Sequence, residues 1–168
     1  MVIENFNRAL DNWIKELDQK TFIQLCTKPS ATSWSLGQVC NHLIINTNYY
    51  LGQAEICLST DDHRSEEMSP DAKIMFRNNA FPNEVIEGPP ENAHTPQPES
   101  KEELMRNLLK LKEEINRIGI LISKSTSKGK TKHPGLNYFS AMEWLQFGEM
   151  HFRHHLRQKQ RIEKFLTK

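Results

Sequence analysis

The sequence predicts an all-α fold, a four-helix bundle, on three observations. Four long stretches place apolar residues at helical spacing between charged positions. No stretch shows the apolar–polar alternation of a half-buried strand. Capping signals and polar breaks fall between the four stretches. At 168 residues the chain is expected to form one domain, residues 1–168, long enough to build a hydrophobic core.

The first helix is expected over about Ile3 to Leu25, with Ile3, Phe6, Leu10, Trp13, Ile14 and Leu17 on one stripe. Lys28-Pro-Ser-Ala-Thr-Ser33 breaks it. Ser35, with Gln38 three residues on, has the form of a capping box. The second helix then runs to about Leu58, burying Leu36, Val39, Cys40, Leu43, Thr47, Tyr50, Leu51 and Ala54. His42 lies at the edge of that stripe, one turn from both Gln38 and Asn46.

Residues 61–99 change character, holding six of the eight prolines among polar and charged residues. A connection this long is expected either to carry short helices of its own or to be a disordered linker. Ile74, Met75, Phe76, Phe81 and Ile86 offer apolar anchors. They favour a crossover that packs over one end of the bundle, with a turn or two of helix near Ala72 to Asn78. Such a crossover permits the second and third helices to run parallel.

Ser100 with Glu103 marks the third helix, which continues to about Ser123 with Leu104, Leu108, Leu111, Ile115, Ile118 and Ile122 as its stripe. Ser125 to Lys132 reads as a flexible polar loop and His133 to Leu136 as a turn. Asn137 or Ser140 caps the final helix, which is expected to run nearly to the end.

That last helix carries the chemistry. Its stripe is Trp144, Gly148, His151, His155, Ile162 and Phe165, with Glu149, Arg153, Arg157, Gln160 and Lys164 on the opposite, solvent face. His151 and His155, four apart, share one face and are close enough to share a ligand. His42 is the further helical histidine at a core edge. Three neutral imidazoles suit zinc, and nickel as well. Alternatively, the pair is satisfied by hydrogen bonds in the core or at an interface. The pattern is not His-Glu-x-x-His, since Phe152 follows His151. His154 is offset from the pair and reads as a flank residue or an orienting neighbour. Asn41, Asn46 and Tyr50 are candidates for placing a substrate or ordinary flank residues, and Arg153 and Arg157 suit an anion or a solvated face. Trp34 and Trp144 are expected to pack the core near helix ends.

Composition limits the alternatives. Lys and Arg total 22 against 21 Asp and Glu, a formal charge of +1, without the basic footprint of a nucleic-acid binder. No apolar run approaches the length that spans a bilayer, so no membrane partner is expected. The three cysteines, Cys26, Cys40 and Cys57, show no pairing pattern, and a reducing, cytoplasmic setting is expected.

The run Trp34-Ser-Leu-Gly-Gln-Val-Cys-Asn-His-Leu43 resembles the first motif of the DinB-like (YfiT-like) superfamily. The turn at His133-Pro-Gly-Leu136, Glu143-Trp-Leu-Gln-Phe147 and His151-Phe-Arg-His-His155-Leu-Arg-Gln158 together resemble its closing motif, with the glycine of the turn displaced. The resemblance covers nearly the whole chain. It implies a four-helix bundle in up-down-down-up order, a divalent metal held by His42, His151 and His155, and a homodimer. It also implies a small-molecule substrate, since members include S-transferases that use bacillithiol-like low-molecular-weight thiols and a mycothiol-dependent isomerase. The leading expectation is therefore a metal-dependent enzyme that activates a small thiol against an electrophile. A metal-dependent hydrolase and a non-catalytic, stress-related binding bundle are the alternatives.

Overall fold

The structure, a computed structural model, describes residues 1–82 and 94–167. Helices make up most of it: α1 (Val2–Asp18), α2 (Phe22–Cys26), α3 (Leu36–Leu58), α4 (Pro70–Asn78), α5 (Lys101–Lys124), α6 (Ala141–His154) and α7 (Leu156–Leu166). One antiparallel hairpin, β1 (Lys130–His133) and β2 (Asn137–Ser140), precedes α6.

Most positions of the expected apolar stripes of α1, α3 and α5 are buried. Phe6, Leu10, Trp13 and Leu17 face inward from α1, and Leu104, Leu108, Leu111, Ile115 and Ile118 from α5. The long helix α3 packs against α5 and α6, and α1 packs against the same two. Gly148 permits the α1–α6 contact, because a Cβ there would stand 3.2 Å from the Phe6 ring. Among the described residues no helix is long and apolar enough to cross a membrane.

The expected first helix, Ile3 to Leu25, is two helices. α1 ends at Asp18, and Thr21 opens α2 with a capping box of its own: Thr21 Oγ1 accepts from Gln24 N at 3.2 Å and Gln24 Oε1 from Thr21 N at 2.9 Å. Ser35 caps α3 through the box read from the sequence, Ser100 caps α5, and Ser140, with Glu143, caps α6.

Within the crossover, Ser69 and Pro70 start α4 and Asn79, in the left-handed region at φ 48°, ends it; Ala72 and Met75 are its buried contacts. The returning chain docks on the start of α3. Gln38 Nε2 donates to Thr95 O at 2.7 Å, and a Cβ on Gly37 would lie 2.6 Å from Pro98 Cδ. Ile86, one of the expected anchors, lies outside the described residues.

The hairpin corrects two expectations, the absence of strands and the polar loop up to Lys132. Each strand is four residues long, too short to display a period. What holds it is tertiary: Phe139 is fully buried, and Trp144 Nε1 donates to Thr131 Oγ1 at 2.7 Å.

The final helix also departs from expectation. It is interrupted at His155, whose N–H still reaches His151 O at 3.2 Å, so the axis continues into α7. Glu149, expected on the solvent face, is 4% exposed and pairs with Arg153 at 2.7 Å through both oxygens. Arg153 in turn donates to Asn79 O at 2.7 Å, which pins the end of α4 to α6. Phe165, expected on the buried stripe, is 40% exposed.

Candidate metal centre

His42 projects from the second turn of α3, His151 from the last turn of α6, and His155 from the junction with α7. Contact between α3 and α6 brings residues 109 positions apart into one cluster. His42 and His151 are buried and His155 half-buried. Nε2 of His151 stands 3.1 Å from Nε2 of His42 and 3.1 Å from Nε2 of His155. A ligand atom from each of the three lies within 4.8 Å of the others, so the set could hold a metal ion.

The donor set fits such an ion. A tetrahedral ion with ordinary zinc–imidazole bonds spaces its nitrogens by roughly 3.3 Å, close to the two 3.1 Å separations from His151. Hydrogen bonds alone serve the cluster poorly, because each ring nitrogen offers one hydrogen or one lone pair, never both. Nδ1–H of His155 donates to Gln158 Oε1 at 2.8 Å, which leaves Nε2 of His155 with a lone pair. If His151 Nε2–H donates to it, that nitrogen cannot accept from His42. If His151 accepts from His42, two lone pairs face each other at 3.1 Å. A cation at the common focus accepts all three lone pairs and removes the conflict.

Around the cluster, Asn46 Nδ2 donates to the His42 carbonyl at 2.8 Å and lies 3.1 Å from Nδ1 of the same ring. Gln158 is therefore the orienting partner of one of the three imidazoles, and Asn46 stands beside a second. His151 Nδ1 is buried with no partner among the described residues. Its ring is held by packing, between Tyr50 at 6.0 Å and Phe81 at 5.8 Å.

The electrostatics favour the neutral form of His151 and His155. Burial pushes His151 well below the ordinary imidazole range, reinforced by charge on His155, His42 and His154. Burial lowers His155 to about 4, against the opposing hydrogen bond from Gln158. Neutral imidazoles are the form that ligates a metal.

The cluster opens into a pocket of about 860 Å³, within the range of small-molecule sites. Trp34, Tyr49, Phe81 and Phe147 supply aromatic walls. The family model of the DinB superfamily matches residues 5–158. The chain belongs to the DinB superfamily. Among curated proteins, none matches it.

Other sequence candidates of this DinB-superfamily chain divide between site and scaffold. Tyr50 lines the pocket, stacked on Trp144 at 5.6 Å, and burial raises its hydroxyl pKa far above the ordinary value. Asn41 serves the scaffold, donating to Pro96 O at 3.1 Å. Trp34, expected to pack the core near a helix end, is half-buried against it and also covers His42 at a ring distance of 5.0 Å. His154 lines the pocket beside Phe81 but outside the ligand set. Burial raises the thiol pKa of Cys26, Cys40 and Cys57, the opposite of activation.

Sequence reasoning missed His133, Gln158 and Arg161 as pocket residues. His133 Nδ1 accepts from Gly135 N at 3.1 Å, so its proton sits on Nε2, and burial lowers its pKa to about 4. It is thus a neutral donor on the pocket wall, where the sequence displayed only a His-Pro-Gly turn. Gln158 was legible in principle, one helical turn beyond His155.

Proposed function

We propose that this protein is a divalent-metal-dependent enzyme of the thiol S-transferase type, with zinc or nickel held by His42, His151 and His155. When bound, such an ion keeps a thiol deprotonated at neutral pH, giving a nucleophile for attack on an electrophilic small molecule. The observation that carries the reading is the convergence of three Nε2 atoms, 3.1 Å apart in two pairs, at the floor of an open pocket.

Each of the chain's own residues has a task in it. Gln158 holds the orientation of the His155 ring, and Asn46 ties its amide to the backbone of His42. Trp34 and Phe81 shield the imidazoles from bulk water while the pocket mouth admits a substrate. His133 offers a neutral N–H to the electrophile or its leaving group. Among the described residues the pocket lining contains no carboxylate, and burial pushes its two histidines outside the ligand set, His133 and His154, towards the weakly basic, neutral form. That favours thiol transfer over the second reading, a metal-dependent hydrolase. The same reading takes α1, α3, α5 and α6 as a bundle in up-down-down-up order and the active unit as a homodimer in the cytoplasm.

Metal analysis of tag-free protein tests the reading. About one equivalent of zinc or nickel, lost in His42→Ala, is expected, followed by thiol-dependent consumption of an electrophile. Protein that takes up neither ion on incubation would sink the enzyme and leave a binding bundle with structural histidines.

A further inference from the structure

Of the eleven residues of α7, only Lys159 and Ile162 are buried. Lys159 is 4% exposed, an unusual place for an ammonium. It meets three groups there, two of them on α1. Its Nζ forms an ion pair with Glu16 of α1 and a second, at 3.1 Å, with Glu163 one turn further along α7. It also stands 5.5 Å from the centre of the Trp13 ring, which is fully buried on α1. Desolvating an ammonium is costly, and apolar side chains of similar volume hold two helices together about as well. What the paired charges add is direction, because they are satisfied in one register and one rotation of the helix.

Direction matters at His155. There α6 and α7 meet, and ψ is −6° against about −42° in a regular helix. The rotation of α7 is therefore set in part by what α7 itself touches. Gln158, which accepts the Nδ1–H of His155 at 2.8 Å, rides on α7, and Lys159 N donates to His155 O at 3.0 Å. Gln158 and Lys159 are neighbours on diverging faces, one lining the pocket and the other turned to α1. We propose that Lys159 is a positioning residue for the histidine cluster. Its pairing with Glu16 beside Trp13 fixes the rotation of α7, which keeps Gln158 on the His155 ring and the lone pair of that ring on Nε2. A turn of α7 about its axis carries Gln158 away and frees the tautomer. The effect on affinity rests on the metal reading above, whereas the effect on the ring needs no metal.

Two readouts test it. Nitrogen-15 shifts of the His155 ring in metal-free protein report the tautomer, and competition with a chromophoric chelator reports zinc affinity. Wild type is expected to carry the His155 proton on Nδ1. Lys159→Met is expected to populate both tautomers and to lower zinc affinity about tenfold, the lower end of what losing an orienting partner costs. Lys159→Arg, which keeps the charge, is expected to retain most of both. Wild-type readouts in Lys159→Met overturn the proposal. So does an equal loss in Lys159→Arg, which would assign the effect to packing. If wild type takes up no zinc, the metal reading fails and the ring shifts alone decide the role of Lys159. Should Lys159→Met not fold, Glu16→Gln, at a half-buried carboxylate, gives the same comparison. A mixed His155 tautomer there supports the proposal, and wild-type shifts overturn it.

Discussion

Gln158 Oε1 accepts the Nδ1–H of His155 at 2.8 Å and thereby fixes which nitrogen of that ring carries the lone pair. The contact spans one turn of α7 and depends on no distant element. Its loss should therefore affect ligation more than folding. Gln158→Ala is expected to lower zinc affinity roughly 10- to 100-fold, as removal of an orienting partner does at other histidine sites. Competition with a chromophoric chelator reads the affinity, and an unchanged far-UV spectrum shows that the fold is intact.

Zinc should also stabilise the native state. Binding to the folded chain at a thousandfold excess over Kd contributes about 4 kcal/mol. A calorimetric scan is expected to show a raised Tm with zinc in wild type and no rise in His42→Ala or His155→Ala. An equal rise in His155→Ala would remove that residue from the ligand set.

Acid should destabilise the protein through its buried neutral histidines. The folded pKa of His133 is lowered to about 4 from an ordinary value of 6.5. Between those values the unfolded chain binds the proton and the folded chain does not, so stability falls as pH drops through that window. His155, also lowered to about 4, acts in the same direction. For half-buried His133 the loss is about 1–2 kcal/mol after allowing for solvent screening. Urea unfolding at pH 7 and pH 4.5 measures it, and His133→Gln should flatten the difference.

Glu149 and Arg153 supply a test away from the site. Glu149→Gln leaves Arg153 without its carboxylate while Asn79 O still holds one end of the guanidinium. The change is expected to cost about 1–3 kcal/mol, since one partner of a mostly buried pair loses its charge. Urea denaturation checks this. Metal content should not change, because Glu149 is outside the histidine cluster.

Much of this architecture could be read locally. The stripes of α1, α3 and α5, the caps at Ser35 and Ser140, and the pairing of His151 with His155 all follow from residues three or four apart. Even the break before Thr21 had a local sign, Thr21 followed by Gln24. Glu149 went the other way. Its periodic position pointed to solvent, and it is buried because α4 ends against α6 there.

The sequence by itself determined which side chains stand on each helix face, because helical periodicity and capping are short-range properties of the chain. It therefore named His42, His151 and His155. Tertiary structure alone decided that their Nε2 atoms meet at 3.1 Å, since His42 and His151 are 109 residues apart and come together only when α3 packs on α6. It also decided that His133 and Arg161 face the same pocket. No periodic signal links a hairpin turn to the last helix. Their meeting is set by the burial of Phe139 and Trp144, which seats the hairpin against α6.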